Sequence, residues 1–132
     1  MSPRFSVVVP VYNEGAEIEV FLDRLGVFKA SRHPLVYVPG DNEWTDCHRR
    51  SAGAYDPLER LEKLREVFYP TNMTLGRRQF QLTRQSSEPA FAAYRENVLW
   101  EAAGVVFAGL NVPGSHNNYD GTQRASGPSP EF

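Results

Sequence analysis

Cysteine is nearly absent from this 132-residue chain, which has Cys47 alone. A single thiol excludes an internal disulfide and the zinc sites that need several cysteines. Long apolar runs are missing too. Val7, Val8 and Val9 follow Arg4, but Pro10 and Asn13 interrupt the run, and no later stretch approaches the roughly 18 residues that cross a bilayer. The third absence is an excess of positive charge. With 14 basic and 16 acidic residues the net charge is -2, which offers no electrostatic attraction to nucleic acid or to an anionic membrane. Together these absences lead to the expectation of a soluble, cytoplasmic protein with neither kind of partner.

What is present fits one folded α/β domain. Hydrophobic residues make up 41% and charged residues 23%, close to globular averages, and the length suits a single core. Phe5 to Val11 is a short β-branched run, expected to form a strand buried on both faces. From Glu14 to Leu25, Ile18, Phe21, Leu22 and Leu25 recur at helical spacing. Leu35 to Val38 is a second apolar run that stops at Pro39-Gly40, so the start of the chain reads as a β-α-β unit with parallel strands. Asn42 to Tyr55 has no sustained period and reads as an irregular or functional loop. Asp56-Pro57 opens a helix whose stripe is Leu58, Leu61, Leu64 and Phe68. Phe80 and Leu82 alternate with polar residues as in a half-exposed strand. Asn97 to Glu101 and Val105 to Val112 flank Ala102-Ala103-Gly104 and are expected to form a C-terminal β-hairpin. Residues 1–119 are thus one domain, and 120–132, rich in Gly and Pro, a disordered tail.

The chemistry concentrates after the second apolar run. Asp41, Asn42, Glu43, Asp46 and His48 offer oxygen and nitrogen donors where open α/β folds bind ligands. Hard divalent ions favour such donors, and metal-bound water is a nucleophile at neutral pH. The same residue types also make ordinary solvated turns, so spacing alone leaves both readings open.

The order of residues adds a resemblance. Leu35 to Trp44, running through Pro39, Gly40, Asp41, Asn42 and Glu43, resembles the motif of calcineurin-like metallophosphoesterases in which a strand leads into Pro-Gly-Asn-His-Glu. The likeness continues through Thr45 to Arg49, Asp56 to Leu61, Leu75 to Arg78, Tyr94 to Val98, Val105 to Ala108 and Gly114 to Asn118, and spans roughly residues 20 to 118. It implies a metallophosphoesterase-like sandwich and a divalent metal (Mn, Fe, Zn or Mg) acting on a small phosphoester substrate. In that family the motif's Asn binds metal and the following His donates a proton to the leaving group. Aligned on Gly40, Asp41 takes the ligand position and Asn42 the proton donor's; one residue of offset makes Asn42 the ligand. Asn42 does not titrate, so in the catalytic position it can only hydrogen-bond a phosphate oxygen, and His48 is the candidate for the missing proton. Asn111 and His116 fall at the end of a predicted strand, where the family places another ligand, and His116 is the better donor.

No Asp-x-His precedes the Leu35 to Trp44 motif, where the family has one, and its Gly-Asp-x-x-Asp and late Gly-His-x-His do not occur in the sequence, so the sandwich is expected to be incomplete and the cation to bind weakly. Where the first of these belongs, Phe5 to Gly15 resembles instead the first strand and loop of family 2 glycosyltransferases, whose Pro-x-Tyr-Asn-Glu loop holds a nucleotide-sugar. That resemblance covers residues 5–22 and implies Asn13 and Glu14, beside Tyr12, as cofactor-binding residues; as plain sequence, Asn13 is a helix cap. The two resemblances in one chain imply a composite or truncated frame, with 1–22 glycosyltransferase-like and 23–119 phosphoesterase-like. Weak or absent phosphoester hydrolysis is the first expectation, nucleotide-sugar binding the second and a non-catalytic scaffold the third.

Overall fold

Asp56 and Pro57 begin the second of the two described α-helices in the way their chemistry dictates. The Asp56 carboxylate accepts from the Glu59 backbone N–H at 2.9 Å, and Pro57 occupies the first turn, where a missing N–H costs nothing. A computed structural model describes residues 18–40 and 43–112; the expected strand Phe5 to Val11 and tail 120–132 lie outside them. The described elements are α1 (Ile18–Ala30), α2 (Pro57–Phe68), β1 (Thr83–Arg84), β2 (Val98–Ala102) and β3 (Val105–Gly109), with short 3-10 turns at Thr45–His48, Arg50–Ala52, Gln85–Ser87 and Pro89–Phe91.

The three strands form an antiparallel sheet in the order β1-β2-β3. Its hairpin is the expected one. Trp100 faces Phe107 and Ala102 faces Val105, the Trp100 and Phe107 rings stack at 5.2 Å, and Ala103 and Gly104 both turn with positive φ, as a two-residue hairpin loop requires. Together the helices and the sheet make a small fold of mixed α and β elements.

The core lies on the helical side. Phe68, at the end of α2, has ring neighbours in Phe21, Phe28, Tyr37 and Tyr69 at 6.0, 6.0, 4.7 and 6.5 Å. Leu64, Cys47 and Leu75 complete the buried cluster. In α1 the buried face is Phe21, Leu25 and Phe28, not the whole expected stripe: Leu22 is 52% exposed and Ile18 37%. The aromatic residues set the rotation of the helix, because Phe21 and Phe28 both reach Phe68, and this also carries α1 past Gly26 to Ala30. In α2 the expected Leu58 is exposed, while Arg60 and Arg65 are buried.

The parallel second strand expected over Leu35 to Val38 does not form among the described residues. The segment pairs once, antiparallel, with Leu35 and Leu75 exchanging both backbone hydrogen bonds at 2.9 Å. Its residues serve the aromatic core instead. Leu35 and Tyr37 pack against it, and the Tyr69 hydroxyl donates to the Tyr37 carbonyl at 3.2 Å. Similarly, the alternating stretch around Phe80 and Leu82 contributes one bridge, Met73 with Gln81, before β1 begins. Buried Arg84 holds this irregular region by donating to the carbonyls of Thr71 at 3.0 Å and Arg95 at 2.6 Å, with its guanidinium 4.9 Å from the Tyr69 ring centre.

Two glycines are expected to answer oppositely to alanine. Gly76 has φ +95°, and a Cβ there would sit 2.2 Å from the His33 carbonyl oxygen, so Gly76→Ala should destabilise by about 1–3 kcal/mol. Gly26 lies inside α1 with nothing within 4 Å of an added Cβ, so Gly26→Ala should stabilise by about 0.5–1 kcal/mol. Urea unfolding of both variants checks this; shifts of the same sign would contradict the assigned conformations.

Candidate functional site

The loop after Leu35 to Val38 is closed by its own side chains. The buried Glu43 carboxylate accepts from the Gly40 backbone N–H at 2.8 Å, joining the two ends of the Gly40–Glu43 stretch. Trp44 follows, fully buried, and its indole N–H points to the Oδ1 atom of Asn111 at 3.5 Å. Asn111 stands two residues past β3. Val38 also packs beside the end of that strand, where a Cβ on Gly109 would come within 2.6 Å of the Val38 side chain. Val38 and Trp44 are thereby seated at the end of β3.

Asn111 has further partners. Its backbone N–H donates to Asn97 Oδ1 at 2.8 Å, and its Nδ2 faces Glu96 Oε1 at 3.5 Å. Asn97 in turn donates to Gln85 Oε1 at 2.8 Å. Glu96 is bound in bidentate fashion by Arg65 of α2 at 2.8 and 2.7 Å, with side-chain exposures of 2% and 6%. Burial alone would lower the affinity of Arg65 for its proton, and the Glu96 hydrogen bonds and charge reverse that, so the guanidinium stays charged.

Of the donors expected from sequence to form a site, Glu43, Asp46, His48 and Asn111 are described, Asp46 being paired with Arg49 at 3.0 Å, and Asn13, Glu14, Asp41, Asn42 and His116 lie outside the described residues. His48 ends the 3-10 turn that follows Trp44. Its Nδ1 is 2.7 Å from the Thr45 carbonyl oxygen; a carbonyl only accepts, so Nδ1 carries hydrogen in this contact. Among the described residues no three His, Cys, Asp or Glu side chains converge as a metal set, and no helix is long and apolar enough to cross a membrane. Sequence reasoning missed Arg65, Glu96 and Asn97. The alternation of β2 does not mark them, because all three precede it or lie on α2, and the polar run Arg95-Glu96-Asn97 looks like solvated loop.

Compared as a whole, the chain matches no family model, no curated protein and no solved structure. Function is therefore read from these residues and their geometry.

Cys47 sits in the turn just beyond the loop, buried beside the aromatic cluster, with its thiol directed at the Tyr55 carbonyl at 3.6 Å. Burial pushes the thiol up to about 11, partly offset by Arg60. The folded state thus keeps this proton where the unfolded chain, with an ordinary value of 9.0, loses it. Stability from Cys47 is present in full below pH 9 and is lost as pH rises toward 11. Half-buried Tyr37 and buried Tyr69, also pushed up by desolvation, act in the same direction at higher pH. Urea unfolding from pH 8 to 11 is expected to show a decline to which Cys47 contributes about 2 kcal/mol. In Cys47→Ala the decline should begin later and be correspondingly smaller; an unchanged curve would rule out the thiol as its source.

Proposed function

We propose that the chain is a metallophosphoesterase-like hydrolase domain with a partial metal set, on an incomplete form of that family's sandwich. It holds a divalent cation (Mn, Fe, Zn or Mg) weakly and turns over a small phosphoester slowly or not at all. The observation that carries this reading is the meeting of the Gly40–Trp44 loop with Asn111 at the end of β3. The resemblance assigns metal ligands to two segments far apart in sequence, and Trp44 and Asn111 are near neighbours of these ligands along the chain. Asn42 immediately precedes Glu43. His116 follows Asn111 by five residues, a length of chain that spans at most about 18 Å.

Oxygen donors from Asp41 or Asn42 with the His116 imidazole are a donor set suited to these metals. The metal, when bound, would polarise a phosphoryl oxygen and lower the pKa of a bound water. The chain's own residues supply the rest. Asn42, where it is not the ligand, hydrogen-bonds a phosphate oxygen through its amide. His48, with Nδ1 engaged by Thr45, offers Nε2 to the leaving-group oxygen and can deliver a proton there only as the imidazolium.

Thermal unfolding of the full chain with increasing Mn2+, with p-nitrophenyl phosphate and bis(p-nitrophenyl) phosphate as substrates, tests the reading. At tenfold excess over its dissociation constant the cation adds about 1.4 kcal/mol to stability, a rise of a few degrees in Tm. His116→Ala and one of Asp41→Ala or Asn42→Ala should lose this rise, while His48→Ala keeps it and lowers any turnover. A parent protein with no Mn2+-dependent shift and no turnover would sink the proposal.

A further inference from the structure

The hydrogen-bond polarity of the buried network runs in one direction. Arg65 can only donate, ionised Glu96 can only accept, and the Trp44 indole can only donate. Asn111 lies between Glu96 and Trp44 and can do both. Facing an acceptor on one side and a donor on the other, its amide has one satisfactory orientation: Nδ2 to Glu96 and Oδ1 to Trp44. Its backbone is fixed independently, since Asn97, itself oriented by Gln85, accepts from the Asn111 N–H at 2.8 Å. Both amide contacts are long, 3.5 Å.

We infer that Glu96, fixed by Arg65, is a positioning residue for the Gly40–Trp44 loop and acts on it through Asn111. Arg65 is on α2, Glu96 precedes β2, Asn111 follows β3 and Trp44 ends the loop, so the pair links these elements to Trp44. The consequence for cation binding rests on the reading given under Proposed function. The linkage itself does not.

Trp100→Phe leaves Trp44 as the sole tryptophan and keeps an aromatic ring over Phe107, so in that background fluorescence reports the loop directly. Asn111→Ala cuts the linkage at a half-buried position without leaving a buried charge unpaired. It should shift Trp44 emission to longer wavelength and weaken Mn2+ binding by about 10-fold or more. Glu96→Gln keeps the shape but removes the acceptor-only character, and should act in the same direction. The double variant should bind Mn2+ no more weakly than the weaker single, because both act through one linkage. If Glu96→Gln does not fold, Asn111→Ala decides alone. Unchanged Trp44 emission overturns the inference, as does an emission shift with parental Mn2+ affinity in a parent that binds Mn2+. A shifted emission in a parent that shows no Mn2+ response upholds the linkage and removes the cation reading instead.

Discussion

The bidentate contact between Arg65 and Glu96 is the constraint on which the rest of the arrangement depends. Both side chains are almost fully withdrawn from water, so each must be satisfied by the other. Breaking such a pair by removing one partner typically costs 3–5 kcal/mol. An intact pair of this kind adds little net stability, because desolvation offsets most of the attraction. What it does supply is geometry. The planar guanidinium fork meets both carboxylate oxygens at once, and this fixes the approach of α2 to the segment entering β2. The Tyr94 ring, 5.9 Å from the guanidinium carbon, borders the same pair.

Around that pair the fold divides its labour between packing and hydrogen bonding. The helices and the Leu35 to Tyr37 segment meet at Phe68, whose four aromatic neighbours do by contact area what a strand ladder does elsewhere by backbone bonds. Segments 69–82 and 94–97 have few ladder bonds of their own. Arg84 compensates by donating to carbonyls on both, and burial makes its guanidinium easier to deprotonate than usual, with Tyr69 and Glu96 opposing that effect. No buried side-chain nitrogen or oxygen among the described residues lacks a partner. A region poor in regular structure thus stays fully satisfied.

Where the signal was local, the sequence carried it. Asp56-Pro57 fixed the start of α2 because capping is a matter of adjacent residues, and Ala103-Gly104 fixed the hairpin because turn sterics are local too. The failures share one cause. The rotation of α1, which exposes Leu22, and the absence of a sheet strand over Leu35 to Val38 are both decided by Phe68 and its partners, tens of residues away. Burial of Arg60, Arg65 and Arg84 was equally illegible. A charged residue in a helix or strand pattern is assigned to solvent unless its partner is known, and Glu96 is 31 residues from Arg65. The Gly40–Trp44 loop was recognisable as a candidate from its donors, and Asn111 from its place after a strand. Their contact through Trp44 was not, since neither the indole nor the amide has a pattern that names the other.

The way the loop is mounted bears on how well it could hold a cation. Metal ligands need placement within fractions of an ångström, supported by a rigid outer shell. Here Gly40 and Glu43 are joined firmly, at 2.8 Å, but the hydrogen bond from Trp44 to Asn111 at the end of β3 is 3.5 Å long. Contacts of that length sit at the weak end of hydrogen bonding, and they tolerate displacements of the order that a ligand set does not. The short hydrogen bonds of the network end at the Asn111 backbone, held by Asn97 at 2.8 Å, one link short of Trp44. A loose final link and a partial set of ligands lead to the same expectation, a cation bound weakly, and they do so for independent reasons. Shortening the Asn111 contacts would tighten the mount without adding a ligand, whereas adding a ligand would leave the mount as loose as before.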